Sequence, residues 1–191
     1  MTVLVAFQGK GFAVIGADSR ATDESGFLMN LATPKIVSNG GYLIAVSGAS
    51  RGGNIAQFGW LPPKPPKSNN LNVLDKFVTS KLIPSLRTAF QKAGYDAKDD
   101  GEAAWQDSNL LIIFNGVIYP IFNDYSWDRD IRGLYFAGSG GELACGALAA
   151  LKLTPTATPE EAELALGKAV EAACEWNAFC SLPIIVRTQY A

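Results

Sequence analysis

Three pairs of apolar, β-branched runs, each folded about a glycine-rich turn, constrain this chain more than any other feature. Residues 2–8 and 12–17 flank Gly9-Lys10-Gly11, residues 35–38 and 42–47 flank Asn39-Gly40-Gly41, and residues 110–114 and 117–122 flank Asn115-Gly116. Runs this close together pair as antiparallel hairpins, because a parallel crossover needs a dozen or more residues. Helical patterns lie between and after them. A short helix is expected over 54–58. Residues 71–93 carry an approximate helical stripe of Val73, Phe77, Leu82, Leu86 and Phe90, with Asn70 or Asn72 as its cap and Pro84 expected to kink or divide it. Residues 134–137 read as a strand ending in Gly138-Ser139-Gly140-Gly141. Helices are predicted over 142–151 and 159–176, the second opened by a Thr158/Glu161 capping box, and residues 183–188 close the chain as a strand. This order of strands, helices, strands, helices and strand does not alternate as a parallel α/β sheet would. It predicts an α+β fold of antiparallel sheets with helices on their outer faces.

The stretch 59–70, Gly-Trp-Leu-Pro-Pro-Lys-Pro-Pro-Lys-Ser-Asn-Asn, breaks any helix and starves any ladder of donors. It is expected to be an exposed surface loop within one domain spanning 1–191, because the part before it is too small to stand alone. A hydrophobic content of 48% speaks against disorder, and 16 basic against 18 acidic residues favour neither nucleic acid nor an anionic membrane as partner. The N-terminal apolar run is too short to span a bilayer and lacks the basic lead-in of a secretion signal. Three cysteines, Cys145, Cys174 and Cys180, show no CxxC spacing. They are expected to be reduced, small, mostly buried residues of a cytoplasmic protein. The acidic run at 96–102 reads as a solvated loop, and no metal or cofactor is expected.

The chain contains no histidine, so neither a Ser-His-Asp nor a Cys-His machine can be built from it. Thr2 offers another route. Once Met1 is removed, a threonine carries a hydroxyl nucleophile and a free α-amine on one framework, and the amine can act as base for its own hydroxyl. An α-amine titrates near ~7.7–8.0, already close to a useful pH. Each candidate also has a plain structural reading. Thr2 can be an ordinary strand residue, Asp18 a turn starter with Ser19, Lys35 a solvated edge-strand lysine beside Pro34, and the Gly138–Gly141 stretch a simple strand-to-helix turn.

In combination these residues resemble proteasome β-type subunits and the HslV peptidases of the N-terminal nucleophile hydrolase superfamily, over most of the chain. The resemblance rests on Thr2 followed sixteen residues later by Asp18 within Gly16-Ala17-Asp18-Ser19-Arg20-Ala21-Thr22. Lys35 on the next strand, Ser47-Gly48 and the Gly138-Ser139-Gly140-Gly141 turn add to it. It implies a four-layer αββα sandwich and a threonine-type peptidase that cleaves peptide bonds through an acyl-enzyme on Thr2. In that scheme a buried Lys35 ammonium lowers the pKa of the Thr2 groups and Asp18 holds Lys35 charged and oriented. Gly48 presents its N–H as the oxyanion hole, and Ser139 hydrogen-bonds the α-amine and relays a proton. Ser19 and Arg20 support the site, as do Asn177 and Cys180, which stand where proteasome subunits usually carry an aspartate and a serine. Pocket walls are expected near Ala21, Thr22, Thr33 and Ala49, with an apolar preference. Peptide or unfolded polypeptide substrates, a homo-oligomer with ring assembly, and an ATPase or regulator partner also follow from the resemblance. Three features depart from it: Asn177 and Cys180 replace that aspartate and serine, the region after Gly48 is shortened by the proline-rich loop, and activation here needs removal of Met1 alone. A catalytically silent subunit that keeps Met1, and an amidase or acyl-transferase for smaller substrates, stay open as alternatives.

Overall fold

A computed structural model of the protein describes residues 2–23, 25–96 and 104–191. Met1, and with it the question of its removal, lies outside the described residues, as does most of the acidic run. In chain order the elements are β1 (Leu4–Gly9), β2 (Phe12–Ala17), β3 (Arg20–Thr22), β4 (Leu28–Asn30), β5 (Ile36–Asn39) and β6 (Tyr42–Gly48). A helical region follows: α1 (Ser50–Asn54) running into a π-helical turn (Ile55–Gly59), then α2 (Leu71–Phe77), a second π-helical turn (Val78–Leu82) and α3 (Ile83–Lys92). The rest comprises β7 (Ser108–Phe114), β8 (Val117–Ile121), β9 (Leu134–Ala137), α4 (Gly141–Leu151), α5 (Pro159–Trp176) and β10 (Ile185–Tyr190).

Two four-stranded sheets, ordered β10-β2-β1-β9 and β5-β6-β7-β8, are antiparallel throughout, and β3 pairs with β4 in a small separate ribbon. The period-2 alternation of each strand divides the core into three seams. In β1 and β2, Val5, Phe7, Phe12 and Val14 face α4 and α5, whereas Leu4, Ala6, Ala13, Ile15 and Ala17 face the other sheet. In β6 and β7, Leu43, Ala45, Leu111 and Ile113 complete that central seam, while Tyr42, Ile44, Leu110, Ile112 and Phe114 face the helices α2 and α3. Helix, sheet, sheet and helix therefore stack as four layers, the α+β sandwich that the element order and the resemblance predict.

Several expectations are corrected in detail. The helical region over 71–92 runs on without a loop but is split by a π-helical turn just before Pro84, and it is not built on Val73, which is 43% exposed; its buried stripe is Leu74, Val78, Leu82, Leu86 and Phe90. A spacing of four drifts about 40° per step around an α-helix. The π-helical turn at Val78–Leu82 absorbs one extra residue and keeps the stripe on the sheet, and Pro84 stands in the first turn of α3, where its missing N–H is tolerated. The proline-rich segment is irregular, as expected, but Gly59 ends the first π-helical turn and Trp60 is 2% exposed in the core. The segment is strapped to the hairpins: Tyr42 Oη donates to the Pro63 carbonyl (2.6 Å), and Asn115 Nδ2 to those of Pro66 (2.8 Å) and Ser68 (2.9 Å). Asp96 is not solvated; its side chain is 2% exposed, accepting from Tyr125 Oη (2.5 Å) and pairing with Arg87 (3.3 Å). The ribbon β3–β4 escapes the sequence reading because three-residue strands carry too little periodicity. Of the cysteines, Cys180 is buried, while Cys145 and Cys174 are half-buried.

Candidate active site

Antiparallel strands collect their starts and ends at two poles. All three hairpin turns fall at one pole. At the other lie the residues before β1, after β2, before β5, at the end of β6, after β9 and before β10, which are the segments holding Thr2, Asp18, Lys35, Gly48, Ser139 and Cys180. Segments up to 164 residues apart meet there because the sheet register brings them together.

Asp18 is the hub. It is fully buried, and a bare carboxylate there would be strongly penalised. Its Oδ1 accepts from the Val3 amide (2.9 Å), the Thr2 hydroxyl (3.0 Å) and the Lys35 ammonium (2.6 Å). Its Oδ2 accepts from the amides of Arg20 (3.0 Å) and Ser181 (3.3 Å). The Lys35 Nζ also donates to Thr2 Oγ1, so one ammonium bridges the hydroxyl oxygen and the carboxylate. Lys35 is not a solvated edge residue. Its side chain is only 8% exposed, and burial pushes its pKa below the usual 10.5 against the opposing pull of Asp18. A hydroxyl whose oxygen receives an ammonium hydrogen bond in a buried setting is easier to ionise. Thr2 itself is 4% exposed.

The Gly138–Gly141 turn packs directly on the backbone of Thr2. The amide of Gly140 donates to the Thr2 carbonyl (3.0 Å), and a Cβ on Gly138, whose φ is +82°, would stand 2.3 Å from that same oxygen. The Ser139 hydroxyl is directed at the Thr2 carbonyl (3.5 Å). Asn177 Nδ2 fixes this turn through the Ser139 carbonyl (2.8 Å), and Cys180 Sγ lies behind Gly140, where a Cβ would come within 2.7 Å of it. Burial raises the thiols of Cys180 to about 11 and Cys174 to about 12, which makes them poor nucleophiles at neutral pH. Ser19 and Arg20 tie the Asp18 segment to the loop before β10. Ser19 Oγ donates to the Pro183 carbonyl (2.6 Å), and Arg20 Nη1 to that of Ala178 (2.9 Å).

Gly48 ends β6 opposite Ser108 with φ +104°, and a Cβ there would lie 2.7 Å from the Asp107 carbonyl, so the position requires glycine. Next to it, the Ala49 amide donates to the Asp107 carbonyl (2.9 Å), and Ser108 Oγ, held by Tyr95 Oη (2.8 Å), reaches the Ala49 carbonyl (3.2 Å). Of the expected pocket walls, Ala21, Thr22 and Ala49 are half-buried and Thr33 is exposed. Sequence reasoning named Arg20 but not its backbone amide as a donor to Asp18, and it missed the backbone donors Val3 and Ser181, which carry no side-chain signature. It also missed Gln57, whose Nε2 donates to the Lys35 carbonyl (2.8 Å) from a stretch that reads only as a short helix.

No family model and no curated protein matches this sequence. Solved structures do. BPH of Thiobacillus denitrificans in complex with epoxomicin superposes with a TM-score of 0.73 at 22% identity, covering 99% of this chain and 98% of that one. A second structure of Thiobacillus denitrificans BPH gives 0.68 at 21%, with the same coverage. The eukaryotic HslV of Trypanosoma brucei gives 0.63 at 16% over the full length of both chains. The two packed antiparallel sheets and their flanking helices are thus the fold of BPH and HslV, shared from end to end.

Proposed function

We propose that this chain, as one unit over residues 1–191, is a threonine-type N-terminal nucleophile peptidase acting through Thr2 after removal of Met1. The observation that carries the reading is the Lys35 ammonium bridging Thr2 Oγ1 and the buried Asp18 carboxylate. In this reading the free Thr2 amine takes the hydroxyl proton while Lys35 stabilises the developing alkoxide. The alkoxide attacks a peptide carbonyl, whose oxyanion is held by the Gly48 N–H. The amine returns its proton to the leaving amine, and water releases the acyl group from Thr2. Asp18 keeps Lys35 charged and aimed. Ser139, held by Asn177 and directed at the Thr2 carbonyl, is assigned the proton relay, and Ser19, Arg20 and Cys180 the holding of the surrounding loops.

The likeness to HslV and to an epoxomicin-bound BPH supports extending the reading to peptide substrates, a cytoplasmic homo-oligomeric ring and an ATPase or regulator partner. The test is N-terminal sequencing of the purified protein followed by peptide hydrolysis with a Thr2→Ala control. A Thr2 N-terminus with hydrolysis abolished by Thr2→Ala is the expected result. A retained Met1 with no hydrolysis would favour a silent scaffold.

A further inference from the structure

Gln57 lies in the middle of the π-helical turn Ile55–Gly59 and is 8% exposed. A buried primary amide needs partners, and Gln57 spends its Nε2 donors on two carbonyls, those of Lys35 (2.8 Å) and Ile44 (2.9 Å). Lys35 precedes the first ladder pair of β5, Ile36 with Ala45, and β5 is the edge of its sheet. Its backbone therefore has a strand on one side only, and Gln57 supplies a further anchor. The far end of β5 is held by the same turn: Asn39 Nδ2 donates to the carbonyls of Ala56 (3.2 Å) and Trp60 (3.0 Å). The π register matters here. One inserted residue rotates a helical position by about 100°, enough to decide whether position 57 faces the strand or solvent. The next residue, Phe58, is already 62% exposed.

Resting on the reading of Lys35 given above, we infer that Gln57 is a positioning residue. It fixes the backbone of Lys35 so that the ammonium meets Thr2 Oγ1 and Asp18 Oδ1 together. The π-helical turn is then the brace of the site rather than an irregularity of the helical layer. A displacement of about 1 Å at a reacting group can cost ~100-fold in rate, and Lys35 makes both of its contacts through one flexible side chain.

The test uses full-length protein carrying [13Cε]lysine, with the Lys35 resonance assigned by Lys35→Met. Gln57→Met is nearly isosteric and removes both donors. It is expected to move the Lys35 titration back toward 10.5, to shift the alkaline limb of Thr2 acylation by a peptidyl electrophile in step, and to slow acylation about 10- to 100-fold. Gln57→Asn, which keeps the amide but shortens it, is expected to do the same to a smaller extent and replaces Gln57→Met where that variant does not fold. In the wild type, Gln57 side-chain protons should exchange slowly. An unmoved Lys35 titration and pH profile in a folded variant, or freely exchanging Gln57 protons, would overturn the inference. Dependence of the Lys35 titration on Gln57 in a protein whose Thr2 does not react would uphold the brace and sink the peptidase reading.

Discussion

The two poles of the sandwich are built on opposite principles. The turn pole is closed by local geometry. Asn115 and Gly116 both take positive φ, at 51° and 67°, as a two-residue hairpin turn demands, and Gly116 sits so close to Gly11, Phe12 and Ala191 that an added Cβ would meet their backbones at 3.1 Å. Side-chain amides finish the seal, Gln8 Oε1 accepting from the Ile118 amide (2.9 Å) and Gln189 Nε2 donating to the Gly41 carbonyl (3.0 Å). The site pole has turns of its own, at Gly138–Gly141 and between β3 and β4, but they do not close it. It is held by a buried carboxylate that gathers donors from five residues on separate segments of the chain. One pole specifies the fold, and the other uses the fold to bring a lysine and a hydroxyl together.

The contrast breaks most sharply at Asp18. Asp18→Asn leaves a buried ammonium without its counter-charge, so it should cost about 3–5 kcal/mol in denaturant unfolding and abolish acylation of Thr2. Lys35→Met should separate the two effects. The carboxylate keeps its three backbone donors, so the stability loss should be clearly smaller than for Asp18→Asn, while acylation falls at least ~100-fold. Comparable stability losses for the two variants would show that the pole is held by the ion pair itself rather than by the donor set of Asp18.

The pH dependence sharpens the same point. A Lys35 pKa lowered by burial means that the native protein gives up this proton before a free lysine would. Acylation should rise with pH as the Thr2 amine loses its proton, then fall through a limb below 10.5 as Lys35 becomes neutral. Lys35→Met should remove the falling limb. A limb that stays in place belongs to another group.

The turn pole should respond in stability alone. Gly116→Ala forces an L-residue into positive φ against backbone neighbours and should cost about 1–2 kcal/mol, with acylation of Thr2 unchanged under conditions where the variant is folded. Smallest of all, Thr158→Ala removes one half of the capping box of α5 and should cost ~1 kcal/mol with no effect at the site. A rate change in either variant would show that the poles are coupled.

The same division explains what was legible in the sequence. Asn115-Gly116, Asn39-Gly40-Gly41 and the Thr158/Glu161 box are short-range signals, and the hairpins and α5 follow them closely. Thr2 was legible as a candidate from its own chemistry, in a chain without histidine, whereas its partners Asp18, Lys35, Gly48 and Ser139 were legible only through resemblance. Nothing in the alternation around Asp18 distinguishes a carboxylate with many donors from a turn starter, and Lys35 beside Pro34 has the pattern of a solvated edge. The π-helical turns are invisible to periodicity counted in steps of 3.6, so Leu74 and Val78 were missed in the stripe and Gln57 had no signal at all. Its role depends on a carbonyl 22 residues away.

The most direct test is to treat the protein with a peptide that carries an electrophilic end group and locate the adduct by peptide mass spectrometry, in wild type and in Lys35→Met. The account predicts an adduct on Thr2 in the wild type and at least ~100-fold slower labelling in the variant. Labelling at Cys180 or elsewhere, or undiminished labelling of Thr2 without Lys35, would contradict it.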